Sequence, residues 1–309
     1  MVDRKTAVQK IENSFSSAGY PAAYLMAFDH LECLASHYGR ETFLVKEKAT
    51  QRLCIAKCYD SALFKDLDSI DMLSGMHHEG LPSFCGSYRN EAMFIFARSY
   101  IEGVPLSDYA RDRELTQSEV IGICVKLADI LIYLHGRIPP VIHRDIKPEN
   151  IIVTEDGNIV LIDFDIARIF KSEKEADTVF FGTRGYAPPE QYGFAQTDPR
   201  SDMYAFGILL RFLLTDSVRE NSKIRIYRPL KKSIDRCTAF APENRYADMQ
   251  QVKRAAAGKS AITGAADHRD FTLCTSSLGS SVSGGGKNLP VYHIQSVYRW
   301  VCHSPCNAG

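Results

Sequence analysis

The stretch from Val141 to Arg168, VIHRDIKPENIIVTEDGNIVLIDFDIAR, constrains this chain more than any other. It sets His143, Arg144 and Asp145 ahead of Lys147 and Asn150, and a second acid, Asp163, follows. Two short apolar runs, Ile151 to Val153 and Ile159 to Ile162, flank a polar tip at Asp156, Gly157 and Asn158. Short β-branched runs on either side of an Asp-Gly-Asn turn predict paired strands. Such a hairpin holds one carboxylate on one side and a second on the other. The set offers one carboxylate to orient a nucleophile, and an amide and a further carboxylate to hold metal against a phosphate.

These residues, in this order, resemble the catalytic core of the eukaryotic-type (Hanks-type) protein kinases, whose HRD-x-K-x-x-N and DFG signatures they match. The resemblance implies an α+β, two-lobed fold: a small antiparallel-sheet lobe with one helix and a larger, mainly helical lobe. It covers about residues 24–256, with the small lobe at about 24–99, a hinge at about 99–103 and the large lobe at about 104–256, and it fits bacterial serine/threonine kinases best. Residues 1–23 read as a flank or docking helix, and residues 257–309 as a flexible tail containing a Ser/Gly-rich segment.

The resemblance also assigns roles. Asp145 is implied as catalytic base, and Lys147 as the lysine that serine/threonine-directed kinases place on the γ-phosphate. Asn150 and Asp163 are implied as Mg²⁺ ligands, hard oxygen donors suited to that ion. Lys57, ending the strand Cys54-Ile55-Ala56-Lys57, resembles the lysine that holds the α- and β-phosphates of ATP. Gly39 is the one glycine of the stretch that matches the family's glycine-rich loop. The hinge at Tyr100-Ile101-Glu102-Gly103 is where adenine would dock on backbone groups. Thr183, in GTRGYAPPE, would face Asp145 and Lys147, while Thr178 and Ser172 are candidate phosphosites beside the cationic Arg144. Asp202, Glu190 and Arg245 resemble the residues that brace the large lobe. Small-molecule phosphotransferases lack that apparatus, so the implied partners are ATP and a protein with a Ser or Thr acceptor.

The chain departs from the family at four places. Ser69 falls where the helix of the small lobe carries a glutamate, with Asp68 and Asp71 as neighbours. Asp165 replaces the glycine of DFG, the glycine-rich loop is poor, and Arg98 stands at the usually apolar gatekeeper position. A buried guanidinium needs a partner, and Asp165 is the expected one. These departures keep a second reading open, a pseudokinase that acts as a nucleotide-binding or scaffold module.

Helix periodicity is strong over Ser118 to His135, with Ser118 as the expected cap and Gly136 past the end. The apolar run Met203 to Leu214 is broken by Arg211 and too short to span a bilayer, so it reads as a buried helix. Lys plus Arg and Asp plus Glu number 37 each, which leaves no net field to favour nucleic acid or an anionic membrane. Nine cysteines without framework spacing read as reduced thiols of a cytoplasmic protein. Lys231 and Lys232 with Arg225 and Arg228 read as a solvated basic face, and Cys302, His303 and Cys306 lack the second pair that a zinc site needs.

Overall fold

The computed structural model describes residues 19–63, 72–165, 167–169, 183, 185–192, 197–215 and 226–257. They divide into two compact units. One holds the described residues up to His77 together with Pro82–Ile101, and the other holds His78–Leu81 and the described residues from Glu102 onward. The expected α+β fold is present, an antiparallel sheet in the first unit and mainly helices in the second.

The first unit begins with a short helix, α1 (Ala22–Ala27), followed by β1 (Phe28–His37), β2 (Arg40–Glu47), β3 (Leu53–Asp60), β4 (Phe84–Arg89) and β5 (Met93–Ser99). The strands form one antiparallel sheet in the order β1-β2-β3-β5-β4. The strand that carries Lys57 is β3, paired to β2 with Thr42 facing Lys57 and Val45 facing Cys54. Gly39 closes the β1–β2 turn at φ 72°, a left-handed conformation that glycine adopts without a Cβ clash.

β3 and β5 are buried on both faces, so their sequences read as continuous rather than alternating apolar runs. On one face Cys54, Ala56 and Cys58 of β3 pack with Met93, Ile95 and Ala97 of β5, beneath Tyr24 and Phe28. On the other lie Tyr59, Phe94 and Phe96. Strand structure begins at Phe28, a few residues inside the small lobe expected from about residue 24. Tyr24 sits in α1 instead, fully buried, with its hydroxyl 2.7 Å from Nε2 of His30. A large aromatic ring that covers the sheet's outer face gains more by burial than a polar flank could. Residues 19–27 therefore pack as part of this unit rather than as a separate flank. Ser69, Asp68 and Asp71, on the helix that the resemblance implies for the small lobe, lie outside the described residues; Met72–Gly75, just after them, is a 3₁₀ turn.

The second unit continues with β6 (Val104–Pro105), α2 (Leu106–Arg111), α3 (Gln117–His135), β7 (Val141–Ile142), β8 (Ile151–Val153), β9 (Ile159–Leu161), β10 (Arg168–Ile169), α4 (Pro199–Thr215), α5 (Arg228–Cys237) and α6 (Met249–Ala257). Helix α3 starts one residue earlier than expected, and its cap is Thr116 rather than Ser118. The Thr116 hydroxyl accepts from the Glu119 N–H while the Glu119 carboxylate accepts from the Thr116 N–H, a reciprocal box that Ser118 cannot form from inside the first turn. The face Val120, Cys124, Leu127, Leu131 and Leu134 is buried against α6 and α4, and Lys253 of α6 reaches Asp129 of α3 at 2.6 Å.

Helix α4 buries Met203, Phe206, Leu209, Leu210 and Leu213, as its apolar run requires. No helix among the described residues is long and apolar enough to cross a membrane. His78–Leu81 packs onto this unit: the Gly80 carbonyl accepts from the Leu161 N–H at 2.9 Å, and a Cβ at Gly80 would lie 2.4 Å from Ile130. Lys231 pairs in the open with Asp235, a solvated arrangement, while Arg225 and residues 258–309 lie outside the described residues.

Candidate active site

β8 and β9 pair as the opening stretch predicts, Ile151 with Leu161, Ile152 with Val160 and Val153 with Ile159. This hairpin fixes the two ends of the site. The Ile162 N–H donates to the Asn150 carbonyl at 2.8 Å, so the loop before β8 and the acid after β9 are tied within a single hydrogen bond of each other.

The loop from His143 to Asn150 is held from below by Asp202, at the start of α4. Its Oδ2 accepts from the His143 N–H at 2.8 Å and its Oδ1 from the Arg144 N–H at 2.7 Å, and Nε2 of His135 lies 2.9 Å from Oδ2. Burial by itself would raise the Asp202 pKa. The hydrogen bond and charge of His135, with the His143 backbone donor, outweigh it and hold the carboxyl below its ordinary value. Arg144 takes φ 66°, sparsely populated for a residue with a Cβ. Both of its backbone groups are clamped: the N–H by Asp202, and the carbonyl by Nε2 of Gln191 at 3.0 Å. Asp163, at the other end of the site, also has φ 66°. Strained backbone of this kind persists where the surroundings over-determine it.

His143 is fully buried. Its Nε2 lies 3.1 Å from the Ile162 carbonyl, its Nδ1 accepts from the Asp145 N–H at 3.3 Å, and its ring meets Phe164 edge-on at 4.6 Å. Accepting at Nδ1 requires the neutral ring, and burial lowers its pKa in the same sense.

The carboxylate of Asp145 is surrounded but not sealed. Oδ1 accepts from the Thr183 hydroxyl at 2.8 Å, and Oδ2 from Nζ of Lys147 at 2.8 Å and Nδ2 of Asn150 at 2.8 Å. Lys147 also donates to the Thr183 hydroxyl oxygen at 2.9 Å. Burial works against the Lys147 ammonium, but the charge and hydrogen bond of Asp145 overcome it and raise its pKa. The Asp145 side chain keeps 14% of its surface open.

Asn150 is anchored by its amide nitrogen, which donates to both the carbonyl and Oδ2 of Asp145, while its Oδ1 is buried with no hydrogen-bond partner. An orphaned buried oxygen is costly unless something binds it. With the Asp163 carboxylate it makes a hard-oxygen donor set that suits a divalent cation such as Mg²⁺.

Elsewhere in this unit, Arg245 and Glu190 form a two-pronged pair at 2.6 and 2.9 Å, and Ser201 donates to Glu190 at 2.9 Å. The sequence-expected residues of the second unit, Asp145, Lys147, Asn150, Thr183, Asp202, Glu190 and Arg245, are thus bound into one network. His135 and Gln191 were not legible from sequence. Neither carries a motif, and only their polar character at a helix end and beside a buried glutamate sets them apart.

In the first unit Lys57 is buried on β3 opposite Phe96. The Tyr100 N–H already donates to the Leu53 carbonyl at 3.0 Å, so it is not available as the hinge donor to adenine. Arg98 is only 6% exposed, and its Nη2 has no hydrogen-bond partner. Thr178 and Ser172 lie outside the described residues.

The fold and this network are those of a protein kinase catalytic domain. The chain matches the protein kinase domain family over residues 38–256 and belongs to it. Among its relatives are a leucine-rich repeat receptor protein kinase of Arabidopsis thaliana, 32% identical over 55% of this chain and 15% of the relative, and chitin elicitor receptor kinase 1 of Physcomitrium patens, 30% identical over 56% of this chain and 28% of the relative. A serine/threonine-protein kinase of Schizosaccharomyces pombe is 29% identical over 48% of this chain and 34% of the relative. The chain spans no more than about a third of the length of these three relatives.

Proposed function

We propose that this chain is a serine/threonine protein kinase that transfers the γ-phosphate of Mg-ATP to a protein hydroxyl, with Asp145 as catalytic base. The observation that carries the reading is the occupancy of the Asp145 carboxylate. A carboxylate offers about four acceptor sites, and Thr183, Lys147 and Asn150 take three of them. The site that remains is on Oδ1, on a side chain still partly open to an incoming hydroxyl. Asp145 accepts that hydroxyl's proton as its oxygen bonds to the γ-phosphorus and the bond to the ADP oxygen breaks. Lys147, buried and kept protonated by Asp145, screens the charge of the transferring group. Positioning of this kind supplies most of the catalysis, because the transition state of phosphoryl transfer is loose.

Asn150 and Asp163 are the residues to hold Mg²⁺, which when bound neutralises phosphate charge. In the first unit, Lys57 and the Gly39 turn are the groups assigned to the phosphates of ATP, and the backbone around Tyr100, apart from its committed N–H, to adenine. The protein acceptor is supported by the Glu190–Arg245 and Asp202 apparatus. A cytoplasmic location is proposed from the cysteines, six of which are free thiols among the described residues.

The test is incubation with γ-labelled ATP, Mg²⁺ and a generic basic protein acceptor, comparing the native chain with Asp145→Asn. Label on serine or threonine that is lost in the variant is the expected result. Binding of Mg-ATP with no transfer by the native chain would favour the pseudokinase reading instead.

A further inference from the structure

Cys54 on β3 and Cys85 on β4 lie on either side of β5, on the sheet face covered by α1. Two strands separated by a third do not ordinarily bring short side chains into contact. Here a bulge does so. The register of β4 against β5 shifts between Phe84 and Gly86, and Cys85 is the extra residue. A bulge bends its strand and re-aims the side chain it carries, and the two sulfurs stand 3.3 Å apart. The competing acceptors are farther away, the Arg52 carbonyl at 4.0 Å from Cys54 Sγ and the Ser83 carbonyl at 3.7 Å from Cys85 Sγ. Both thiols are free.

We propose that Cys54 and Cys85 form a redox modification site, a dithiol that hydrogen peroxide or a peroxide of similar reactivity converts to a disulfide linking β3 to β4. The two cysteines differ in the way the chemistry needs. Cys85 is partly exposed and accepts the S–H of Cys54, whereas Cys54 is wholly buried. That hydrogen bond favours the Cys85 thiolate and lowers its pKa, against the opposing effect of burial. The Cys85 thiolate attacks a peroxide oxygen, the O–O bond breaks, and hydroxide leaves a sulfenic acid on Cys85. Cys54 gives its proton to hydroxide and its sulfur attacks Cys85 Sγ, where the S–O bond breaks and a second water forms with a proton from solvent. Two thiols are oxidised, one peroxide is reduced, and two waters result. A disulfide needs the sulfurs at about 2 Å, closer than the 3.3 Å at which they stand. The link would fasten β3, which carries Lys57 three residues beyond Cys54, to the edge strand.

The experiment is peroxide treatment of the full native chain, alkylation of remaining thiols, tryptic digestion and mass spectrometry. Trypsin separates Cys54, in the peptide 53–57, from Cys58, in 58–65, and from Cys85, in 66–89. The expected product is the 53–57 peptide joined to 66–89 with loss of two hydrogens, reversed by dithiothreitol, while Cys58 stays alkylated. In Cys54→Ser a dimedone adduct should accumulate on Cys85, and in Cys85→Ser no adduct should form on Cys54. Recovery of both peptides alkylated while other cysteines oxidise would overturn the proposal, as would linkage of Cys85 to Cys33 or Cys58. The native-chain result stands even if a variant fails to fold.

Discussion

The Thr183 hydroxyl donates to Asp145 Oδ1 at 2.8 Å while accepting from Lys147 at 2.9 Å. One hydroxyl therefore sets the orientation of both the Asp145 carboxylate and the Lys147 ammonium. Replacing it tests whether the carboxylate must be aimed. Thr183→Val keeps the shape and removes both bonds, and kcat should fall about 100-fold, the scale of a misplaced reacting group. Thr183→Ser should restore most of it. Steady-state kinetics with ATP varied should show the loss in kcat with KM for ATP little changed.

Arg245 is buried and spends its donors on Glu190 and on the carbonyls of Ala239, Arg200 and Phe240. Removing the cation leaves a buried carboxylate and three carbonyls without their partner. Arg245→Met should cost about 3–5 kcal/mol of stability, read from urea unfolding midpoints. The double variant Arg245→Met, Glu190→Leu should recover part of that loss, because the stranded charge goes with it.

Arg98 presents the opposite case, a buried guanidinium whose Nη2 has no hydrogen-bond partner. Arg98→Met retains the stem and removes the charge, and should raise stability by about 1–3 kcal/mol. A lower unfolding midpoint than the native chain would contradict this.

His30 stacks on Phe43 at 4.6 Å, meets the Tyr20 ring edge-on and contacts the Tyr24 hydroxyl. Burial lowers its pKa from 6.5 to about 4, with Asp29 opposing the shift in part. The unfolded chain therefore takes up a proton at a higher pH than the folded one. Stability is whole above the unfolded value and falls as pH drops from about 6.5 towards about 4. His30→Gln, which keeps a partner for Tyr24, should flatten that dependence. Urea midpoints at about pH 7 and pH 5 should differ less in the variant, with the residual slope owed to His143 and other groups.

Much of the site was legible before any coordinates. The order His143, Arg144, Asp145, Lys147, Asn150, Asp163 depends on a loop and a tight hairpin, and local sequence specifies both. The Asp-Gly-Asn tip and the two β-branched runs permit one register, and that register brings Asn150 and Ile162 together. The Glu190–Arg245 pair was also readable, since each residue sits in a motif of its own. His135, Gln191 and the role of Thr116 were not, because each is defined by a partner's position and not by its own neighbours.

The sequence by itself determined the candidate site residues, the hairpin that spaces them, the long helix before them and the buried helix that supplies Asp202. These follow from spacing, turn residues and hydrophobic period, which act over a few residues. Tertiary structure decided what no short-range pattern encodes. Packing against the sheet drew Tyr24 into α1 and the core. Thr183, from a distant segment, joined the neighbouring Lys147 and Asn150 on the Asp145 carboxylate and left one acceptor site. A single bulge in β4 set Cys85 against Cys54, because contact between strands that are not neighbours depends on the path of the whole sheet.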